Sequence, residues 1–401
     1  MSANDLLAAI ADVGRDRKRG GYSRHGYDAV ELELRTWFVE EARRRDLDVE
    51  VDRNGNIWAW WGAPGPNAVI TGSHLDSVPG GGAFDGPLGV ACALDAVDKL
   101  REKGFTPGRP LAVMVFAEEE GGRFGVPCLG SRLLTGAIDP GRAAGLTDPA
   151  GITLAEAMTK AGFDPAHIGR DEEALARIGC FVELHVEQGR GLDKLPGIPA
   201  IAVATSILAH GRWRFSLTGQ GNHAGSTEIG ERADPMLPAA ATVLAARRAA
   251  ASVSGARATV GRLIPNPGGT NVIASSVDFW LDARASSTPD TRAVVEEIKA
   301  AATEAASAEG CELTVTEESY GDTVLFDGKL RDELTDLLGG VPQLPTGAGH
   351  DAGILAASVP TAMLFVRNPT GISHAPAEYA ELSDRTAGTA ALVTTLEQLC
   401  R

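Results

Sequence analysis

The chain is poor in the features that define several protein classes. Its 401 residues contain only five cysteines, namely Cys92, Cys128, Cys180, Cys311 and Cys400. Their scatter shows neither the C-x-x-C spacing of a zinc site nor the density of a secreted disulfide scaffold. No apolar run approaches the roughly eighteen residues of a membrane span, and the N-terminus lacks the apolar core of a signal peptide. We therefore expect reduced thiols, no membrane partner and a cytoplasmic protein.

Basic residues are also in the minority. The chain has 37 Lys and Arg against 53 Asp and Glu, a net charge of −16. Proteins that bind nucleic acid depend on Lys and Arg to neutralise phosphates, so nucleic acid is not an expected partner. We find no internal repeat and no low-complexity linker, and 401 residues exceed a typical single core. The sequence predicts two domains.

The first half of the chain alternates strand and helix patterns. A hairpin is predicted over 49–61, turning at Asn54-Gly55. The apolar run 68–71 reads as a buried strand, 88–103 as a helix, and 111–117 as the next strand. Such alternation is typical of an α/β fold with a doubly wound sheet.

The pattern changes near residue 210. Segments 213–217 and 277–284 alternate like half-exposed strands, and 235–252 and 291–308 have helical patterns. The α/β pattern resumes near Phe326. We therefore predict a mixed-sheet α/β domain, formed by 1–208 and 326–401, with a smaller α+β domain inserted at 209–325.

Acids and imidazoles follow the predicted strands of the α/β domain. They are His74 and Asp76 after the strand 68–71, Asp85 after a glycine run, the triplet Glu118-Glu119-Glu120, His185 after the strand 181–184, and His374. Sites in α/β sheets lie where strands run into loops. We interpret the set as a centre for two metal ions.

The residue types suit distinct tasks in such a centre. Asp85 follows flexible glycines, and its two oxygens could bridge two cations while His74 holds one of them. Asp76 lies two residues beyond His74 and could fix that ring from its far side without binding metal. One glutamate of the triplet can bind metal while its neighbour acts on water.

The motifs together resemble the amidase/hydantoinase/carbamoylase branch of dinuclear zinc hydrolases, related to aminoacylases and dinuclear exopeptidases. In chain order they are Gly72-Ser73-His74-Leu75-Asp76, Phe84-Asp85-Gly86, Glu119-Glu120-Gly121, Glu183-Leu184-His185-Val186-Glu187-Gln188-Gly189, Asn222-His223-Ala224-Gly225, Gly349-His350-Asp351-Ala352 and Gly371-Ile372-Ser373-His374. The resemblance covers nearly the whole chain and implies a metallopeptidase-like catalytic domain with an inserted lid or dimerisation domain. It also implies a homodimer.

The resemblance assigns roles at the metal centre. It implies that His74, Asp85 and His185 surround one ion, and that Asp85 bridges to a second ion completed by Glu120 and His374. It makes Glu119 the general base. His, Asp and Glu ligands suit zinc, manganese and cobalt alike, so we expect two divalent ions per subunit, with zinc favoured.

Further roles also come only from the resemblance. His223 matches a donor to the developing oxyanion, from its own or a partner subunit, and Arg284 a clamp for a substrate carboxylate. Gln188 and Asn271 match polar contacts to the substrate. Judged singly, His223, Gln188 and Asn271 are ordinary loop residues and Arg284 a surface ion pair. The pair His350-Asp351 is expected to order a loop rather than to bind metal.

The expected function is hydrolysis of a C–N bond in an N-carbamoyl or ureido group on a small carboxylate. Allantoate and N-carbamoyl-L-amino acids are the substrates that the resemblance implies. Two alternatives stay open: an aminoacylase or dipeptidase with the same metal centre, and a non-catalytic metal-binding dimer. The carboxylate of Glu119 beside a ligand disfavours the last, since a pure binder has no need of it.

Overall fold

The computed structural model describes residues 1–401. Its strands are β1 (Asp48–Val51), β2 (Ile57–Trp61), β3 (Ala68–His74), β4 (Leu111–Phe116), β5 (Ile178–Val186), β6 (Ile201–Ile207), β7 (Ala209–Thr218), β8 (Asn222–His223), β9 (Arg257–Asn266), β10 (Val272–Ile273), β11 (Ser276–Ala285), β12 (Glu312–Gly321), β13 (Val324–Leu325), β14 (Gln343–Thr346) and β15 (Thr361–Val366).

Twelve α-helices accompany these strands. They are α1 (Ala3–Ala9), α2 (Ala29–Arg44), α3 (Pro87–Glu102), α4 (Leu129–Thr135), α5 (Pro140–Ala144), α6 (Leu154–Lys160), α7 (Glu172–Arg177), α8 (Met236–Ser252), α9 (Thr288–Ala308), α10 (Gly328–Leu337), α11 (Asp351–Leu355) and α12 (Leu382–Leu399). None of them is long and apolar enough to cross a membrane.

The chain divides into two compact units. The first comprises Met1–Ser206 and Leu325–Arg401, and the second comprises Ile207–Val324. The second unit is thus a continuous insertion in the sequence of the first.

A mixed sheet of nine strands forms the centre of the first unit. The strand order is β1-β2-β4-β3-β5-β15-β6-β13, with β14 paired to β6. Strands β4, β3, β5 and β15 are mutually parallel, while β2 pairs antiparallel with β4, β1 with β2, and β6 with β15. The predicted α/β class with a mixed sheet is confirmed. Because β3 and β4 are entirely buried, β4 and the first half of β3 are apolar on both faces and do not alternate with polar residues.

Helix α3 packs on the central strands of this sheet and against α12. It begins at Pro87, two residues after Asp85, and Gly86 before it has a φ of 84°. A Cβ on Gly86 would lie 2.4 Å from Cε1 of His74, so only glycine fits there. The start of α3 is thereby held close to the end of β3.

The second unit has two layers, an antiparallel sheet and a layer of helices. Its antiparallel sheet has the order β12-β7-β11-β9, and a short two-stranded sheet pairs β10 with β8. Buried and part-exposed residues alternate along β11, so one face of the sheet is apolar. That face contributes Trp213, Phe215 and Phe279 to a core with α8 and α9.

Candidate metal centre

Three neighbouring parallel strands bring the predicted residues to one edge of the large sheet. His74 is the last residue of β3, and the glutamate triplet follows the end of β4. His185 lies within β5, which runs from Ile178 to Val186 and so extends beyond the predicted 181–184. The strand is longer because it stays paired to β15 through Val186.

Donor atoms of His74, Asp85 and His185 form a first group, within 4.8 Å of one another. Nε2 of His74 lies 3.6 Å and Nε2 of His185 3.2 Å from the same carboxylate oxygen, Oδ1 of Asp85. Both Nε2 atoms are buried and have no hydrogen-bond partner. Buried polar atoms in native proteins are nearly always paired, so these two nitrogens are suited to an ion.

The other ring nitrogens of these histidines are occupied. Nδ1 of His74 contacts the carbonyl oxygen of Asp76 at 3.1 Å, and Nδ1 of His185 that of Val186 at 2.9 Å. Each contact fits an Nδ1–H donor, so in the neutral form of each ring the lone pair is on Nε2. Metal-binding histidines are commonly oriented this way.

A second group consists of Asp85, Glu120 and His374. Nε2 of His374 lies 3.2 Å from Oε2 of Glu120 and 3.5 Å from Oδ2 of Asp85. The two oxygens of Asp85 therefore face different donor groups. This donor set, with imidazole and carboxylate ligands around one shared carboxylate, fits a pair of divalent ions.

Glu119 lies beside both groups without belonging to either. It is 5% exposed, and its Oε2 is 3.6 Å from Nε2 of His74. The thiol of Cys128 donates a hydrogen bond to Oε1. Burial raises the pKa of Glu119 well above its ordinary value, and the neighbouring Asp351, Glu120 and Asp76 add to the rise.

Asp76 supports this site differently from the expectation. Its carboxylate does not make the closest contact with His74, since Oδ1 is 3.6 Å from Nδ1 and the backbone carbonyl is nearer. Instead, Oδ1 and Oδ2 accept the backbone N–H groups of Glu119 and Glu120, at 3.1 and 3.0 Å. Asp76 therefore ties the β3 loop to the loop that carries both glutamates.

The charges of the site act on one another. Burial alone would lower the pKa of His74, but Glu119, Asp76 and Asp85 outweigh it and hold that pKa well above its ordinary value. For Asp85, burial is outweighed by the neighbouring imidazoles of His185 and His74, which hold the pKa of Asp85 well below its ordinary value. The ionised form of Asp85, which is the form that can bind a cation, is thereby favoured.

Gln188 lies among the residues of the second group. Its Nε2 donates to Oδ2 of Asp85 at 2.7 Å and to Oγ of Ser373 at 3.0 Å, while Oε1 has no hydrogen-bond partner. Ser373 also donates to Asp85, at 3.1 Å. The amide of Gln188 therefore has a free acceptor close to this donor group.

The remaining predicted residues, His223, Asn271 and Arg284, belong to the second unit. His223 pairs with Val272 across β8 and β10, and Asn271 accepts the N–H of Ala224 on its carbonyl. His223 and Asn271 are therefore neighbours. The guanidinium of Arg284 donates to both carboxylate oxygens of Asp282, at 2.7 and 2.9 Å.

Two buried glutamates also contact the site. Oε1 of Glu378 accepts the backbone N–H groups of Phe84 and Asp85, at 2.9 and 3.0 Å, and Glu183 lies two residues before His185. An acidic residue inside the apolar run of β5 is unusual, so the sequence alone could have marked Glu183 as a residue of the site. Nothing in the local pattern marks Glu378, which is 293 residues from Asp85 in sequence.

His350 is also buried in this region. Its ring centroid lies 4.5 Å from that of His185, and burial together with the charge of His185 holds the pKa of His350 well below its ordinary value. Asp351 accepts a hydrogen bond from Ser131.

Known proteins are similar to this chain in sequence and in architecture. The profile of peptidase family M20/M25/M40 matches residues 70–398. An N-carbamoyl-L-amino acid amidohydrolase of Geobacillus stearothermophilus is 35% identical over 401 aligned positions, covering 98% of this chain and 97% of that protein. An allantoate amidohydrolase of Escherichia coli (strain K12) is 32% identical and covers 100% of this chain and 98% of its own. The crystal structure of a hydantoinase/carbamoylase family amidase from Burkholderia multivorans has a TM-score of 0.88 and 28% identity, over 99% of this chain and 97% of that one.

Proposed function

The chain belongs to peptidase family M20/M25/M40, and from this membership we propose that it is a metal-dependent amidohydrolase. Its reaction is hydrolysis of the C–N bond of an N-carbamoyl or ureido group on a small carboxylate. The names of the two similar amidohydrolases support N-carbamoyl-L-amino acids and allantoate as substrates.

The observation that carries the proposal is the position of Asp85 between two donor groups. His74 and His185 face Oδ1, whereas His374 approaches Oδ2 beside Glu120. We assign these five residues as ligands of two divalent ions, with zinc favoured over manganese or cobalt. When bound, such ions supply Lewis acidity that polarises a carbonyl group and lowers the pKa of water.

Glu119 is proposed as the general base. Oε2 faces the first donor group at His74, so this oxygen is available to take a proton from the attacking water. The same carboxyl group can then return the proton to the departing nitrogen. The thiol of Cys128 donates a hydrogen bond to its side chain, and its own backbone N–H donates one to Asp76, so both contacts hold Glu119 in place.

Other side chains are proposed to bind the substrate. Arg284 is suited to a carboxylate because a guanidinium donates two parallel hydrogen bonds, as it already does to Asp282. Gln188 and Asn271 carry amides that can both donate to and accept from a ureido group. His223 is the proposed donor to the oxyanion of the tetrahedral intermediate.

The overall reaction balances simply. One water molecule adds to the ureido carbon and one C–N bond breaks, which leaves a carbamic acid; that acid then loses carbon dioxide, so the final products are the free amine, ammonia and carbon dioxide. An N-carbamoyl amino acid would thus yield the amino acid, and an aminoacylase would instead release acetate from an N-acetyl amino acid.

The test is a comparison of products over a panel of substrates. Protein loaded with zinc or manganese is offered allantoate, N-carbamoyl-L-amino acids, N-acetyl-L-amino acids and dipeptides, and ammonia, acetate and free amino acids are measured. We expect ammonia from the ureido and carbamoyl substrates, and its loss in Glu119→Gln. Glu172→Gln, at an exposed position on α7, is the matched control and should keep full activity.

Other results would replace the amidohydrolase proposal with a different function. Acetate release with no ammonia would replace the proposal with an aminoacylase, and dipeptide cleavage with a dipeptidase. Metal binding without turnover of any substrate would leave a metal-binding protein. Homodimerisation and a cytoplasmic location stay predictions, of which the first is tested by sedimentation equilibrium of the metal-loaded protein.

A further inference from the structure

The carboxylate of Glu183 is buried in the middle of the large sheet, and no role in the proposed reaction uses it. Its exposed fraction is 0%, as is that of Ser73 on the neighbouring strand. Oε1 of Glu183 accepts a hydrogen bond from Oγ of Ser73 at 2.9 Å, and Oε2 accepts one from the backbone N–H of Ala352 at 3.0 Å. A single side chain thus connects β3, β5 and the start of α11.

The two partner residues on the strands adjoin proposed ligands. Ser73 directly precedes His74, and Glu183 lies two residues before His185, on the same face of β5. Any shift between Ser73 and Glu183 would therefore change the distance between the two imidazoles.

The backbone does not fix that distance by itself. The registered pairs of β3 with β5 run from Ala68 with Ile178 to Thr71 with Val182, and there they stop. The ligands lie beyond the last pair, where no further backbone pair joins the two strands. The bond from Ser73 to Glu183 spans the strands in this unpaired part.

The hydrogen bond from Ala352 links Glu183 to the motif at 349–352. Because Ala352 N–H is bound to Glu183, the preceding loop is held against the end of β5, where the ring of His350 lies 4.5 Å from that of His185. The loop therefore limits the movement of the His185 ring.

We propose that Glu183 is a positioning residue, which, through Ser73 and the Ala352 N–H, sets the spacing of His74 and His185 for metal binding. The inference rests on the proposed metal centre. Burying a carboxylate is unfavourable unless its oxygens are hydrogen-bonded, and a leucine or valine would serve as well in a strand whose only task is core packing. The need to hold two ligands at a set distance explains why a hydrogen-bonded carboxylate is buried here.

The same two strands provide a matched comparison. Oγ1 of Thr71 donates to the carbonyl oxygen of Val182 at 2.8 Å and is also fully buried. This bond also joins β3 to β5, but within the paired part of the ladder. Thr71→Val keeps the shape and removes the bond, so it reports the loss of a buried inter-strand hydrogen bond without displacement of the ligands.

The experiment measures metal affinity and metal-free stability in parallel. Zn²⁺ dissociation constants are obtained by chelator competition for wild type, Ser73→Ala, Glu183→Gln and Thr71→Val, and Tm is measured on the chelator-treated proteins. Loss of a residue that orients a ligand typically weakens metal binding about 10- to 100-fold. We expect losses of this size in Ser73→Ala and Glu183→Gln and an unchanged affinity in Thr71→Val, although all three lower Tm.

Two other results would overturn the inference in distinguishable ways. If wild type binds Zn²⁺ and Ser73→Ala and Glu183→Gln bind it equally tightly, the positioning role is wrong while the metal centre stands. If wild type itself binds no Zn²⁺ or Mn²⁺, the proposed function fails and the inference with it. An affinity that falls in Thr71→Val as much as in Ser73→Ala would show a general effect of sheet stability, which also refutes the role.

Discussion

The thiol of Cys128 donates a hydrogen bond to Oε1 of Glu119 across 3.3 Å. The backbone N–H of Cys128 also donates to the carbonyl oxygen of Glu119, at 2.6 Å. Both the side chain and the main chain of the proposed base are therefore held by one residue, which is 2% exposed. The bond to Oε1 leaves Oε2 turned toward His74.

We expect Cys128→Ala to lower kcat with little change in KM. A net hydrogen-bond contribution of about 1 kcal/mol corresponds to a fall of roughly fivefold. Cys128→Ser retains a donor and should keep most of the activity, and Cys92→Ala, at a buried thiol in α3, should be unaffected in kcat. Equal kcat in Cys128→Ala and wild type, from steady-state kinetics, would show that this bond does not orient the base.

Asp76 holds the loop that carries Glu119 and Glu120. Asp76→Ala would leave two backbone N–H groups without their acceptor, and a buried unsatisfied group costs about 1–3 kcal/mol. We therefore expect a lower free energy of unfolding together with weaker metal binding, measured by urea denaturation and chelator competition.

A matched variant separates these two effects. Asp28 also accepts two backbone N–H groups, those of Val30 and Glu31, at the start of α2. Asp28→Ala should lower stability but leave metal affinity unchanged. If both variants changed metal affinity alike, a specific role of Asp76 at the glutamate loop would be refuted.

The metal-free protein should lose stability as the pH rises from about 6.5 to about 9. The hydrogen bond with Glu120 raises the pKa of His374 to about 9, against the effect of burial, and the charges of Asp85 and Glu378 contribute. An unfolded histidine has a pKa of about 6.5. The folded state therefore binds this proton more tightly, so its stabilisation is complete below pH 6.5 and is lost as the pH passes the folded pKa.

Stabilisation by bound metal should instead increase with pH. Ligands must be deprotonated to bind an ion, so the increase in Tm on adding Zn²⁺ or Mn²⁺ should grow between pH 6.5 and pH 8.5. Thermal unfolding of chelator-treated and metal-loaded samples measures both trends, and His374→Ala should flatten the metal-free profile. A metal-free Tm that rises with pH over this range would contradict the assignment of His374.

The final prediction concerns Arg284. Lysine cannot reproduce its two parallel hydrogen bonds, so Arg284→Lys should raise KM for a carboxylate substrate about tenfold, equivalent to ~1.4 kcal/mol of binding. Arg214 offers a control, because it also donates twice to an aspartate of β11, namely Asp278. Arg214→Lys should leave KM unchanged. If KM is also unchanged in Arg284→Lys, Arg284 does not contact the substrate.

Much of the architecture followed from local pattern. The buried runs of β3 and β4 and the helix α3 occur where apolar continuity and helical spacing predicted them, because these elements are defined by residues close in sequence. The hairpin of β1 and β2 likewise turns at Asn54-Gly55, where Gly55 has a φ of 85°. The α/β class was predictable for the same reason.

By itself the sequence determined which donor types are present and that they follow strands of one sheet. Only the tertiary structure decided which oxygen of Asp85 faces which donor group and where the carboxylate of Asp76 points. It also brought Glu378 to Asp85 across 293 residues and Glu183 to Ser73 across 110. Such contacts depend on strand order and on where a ladder of backbone pairs ends, and neither is encoded in the pattern of any single segment.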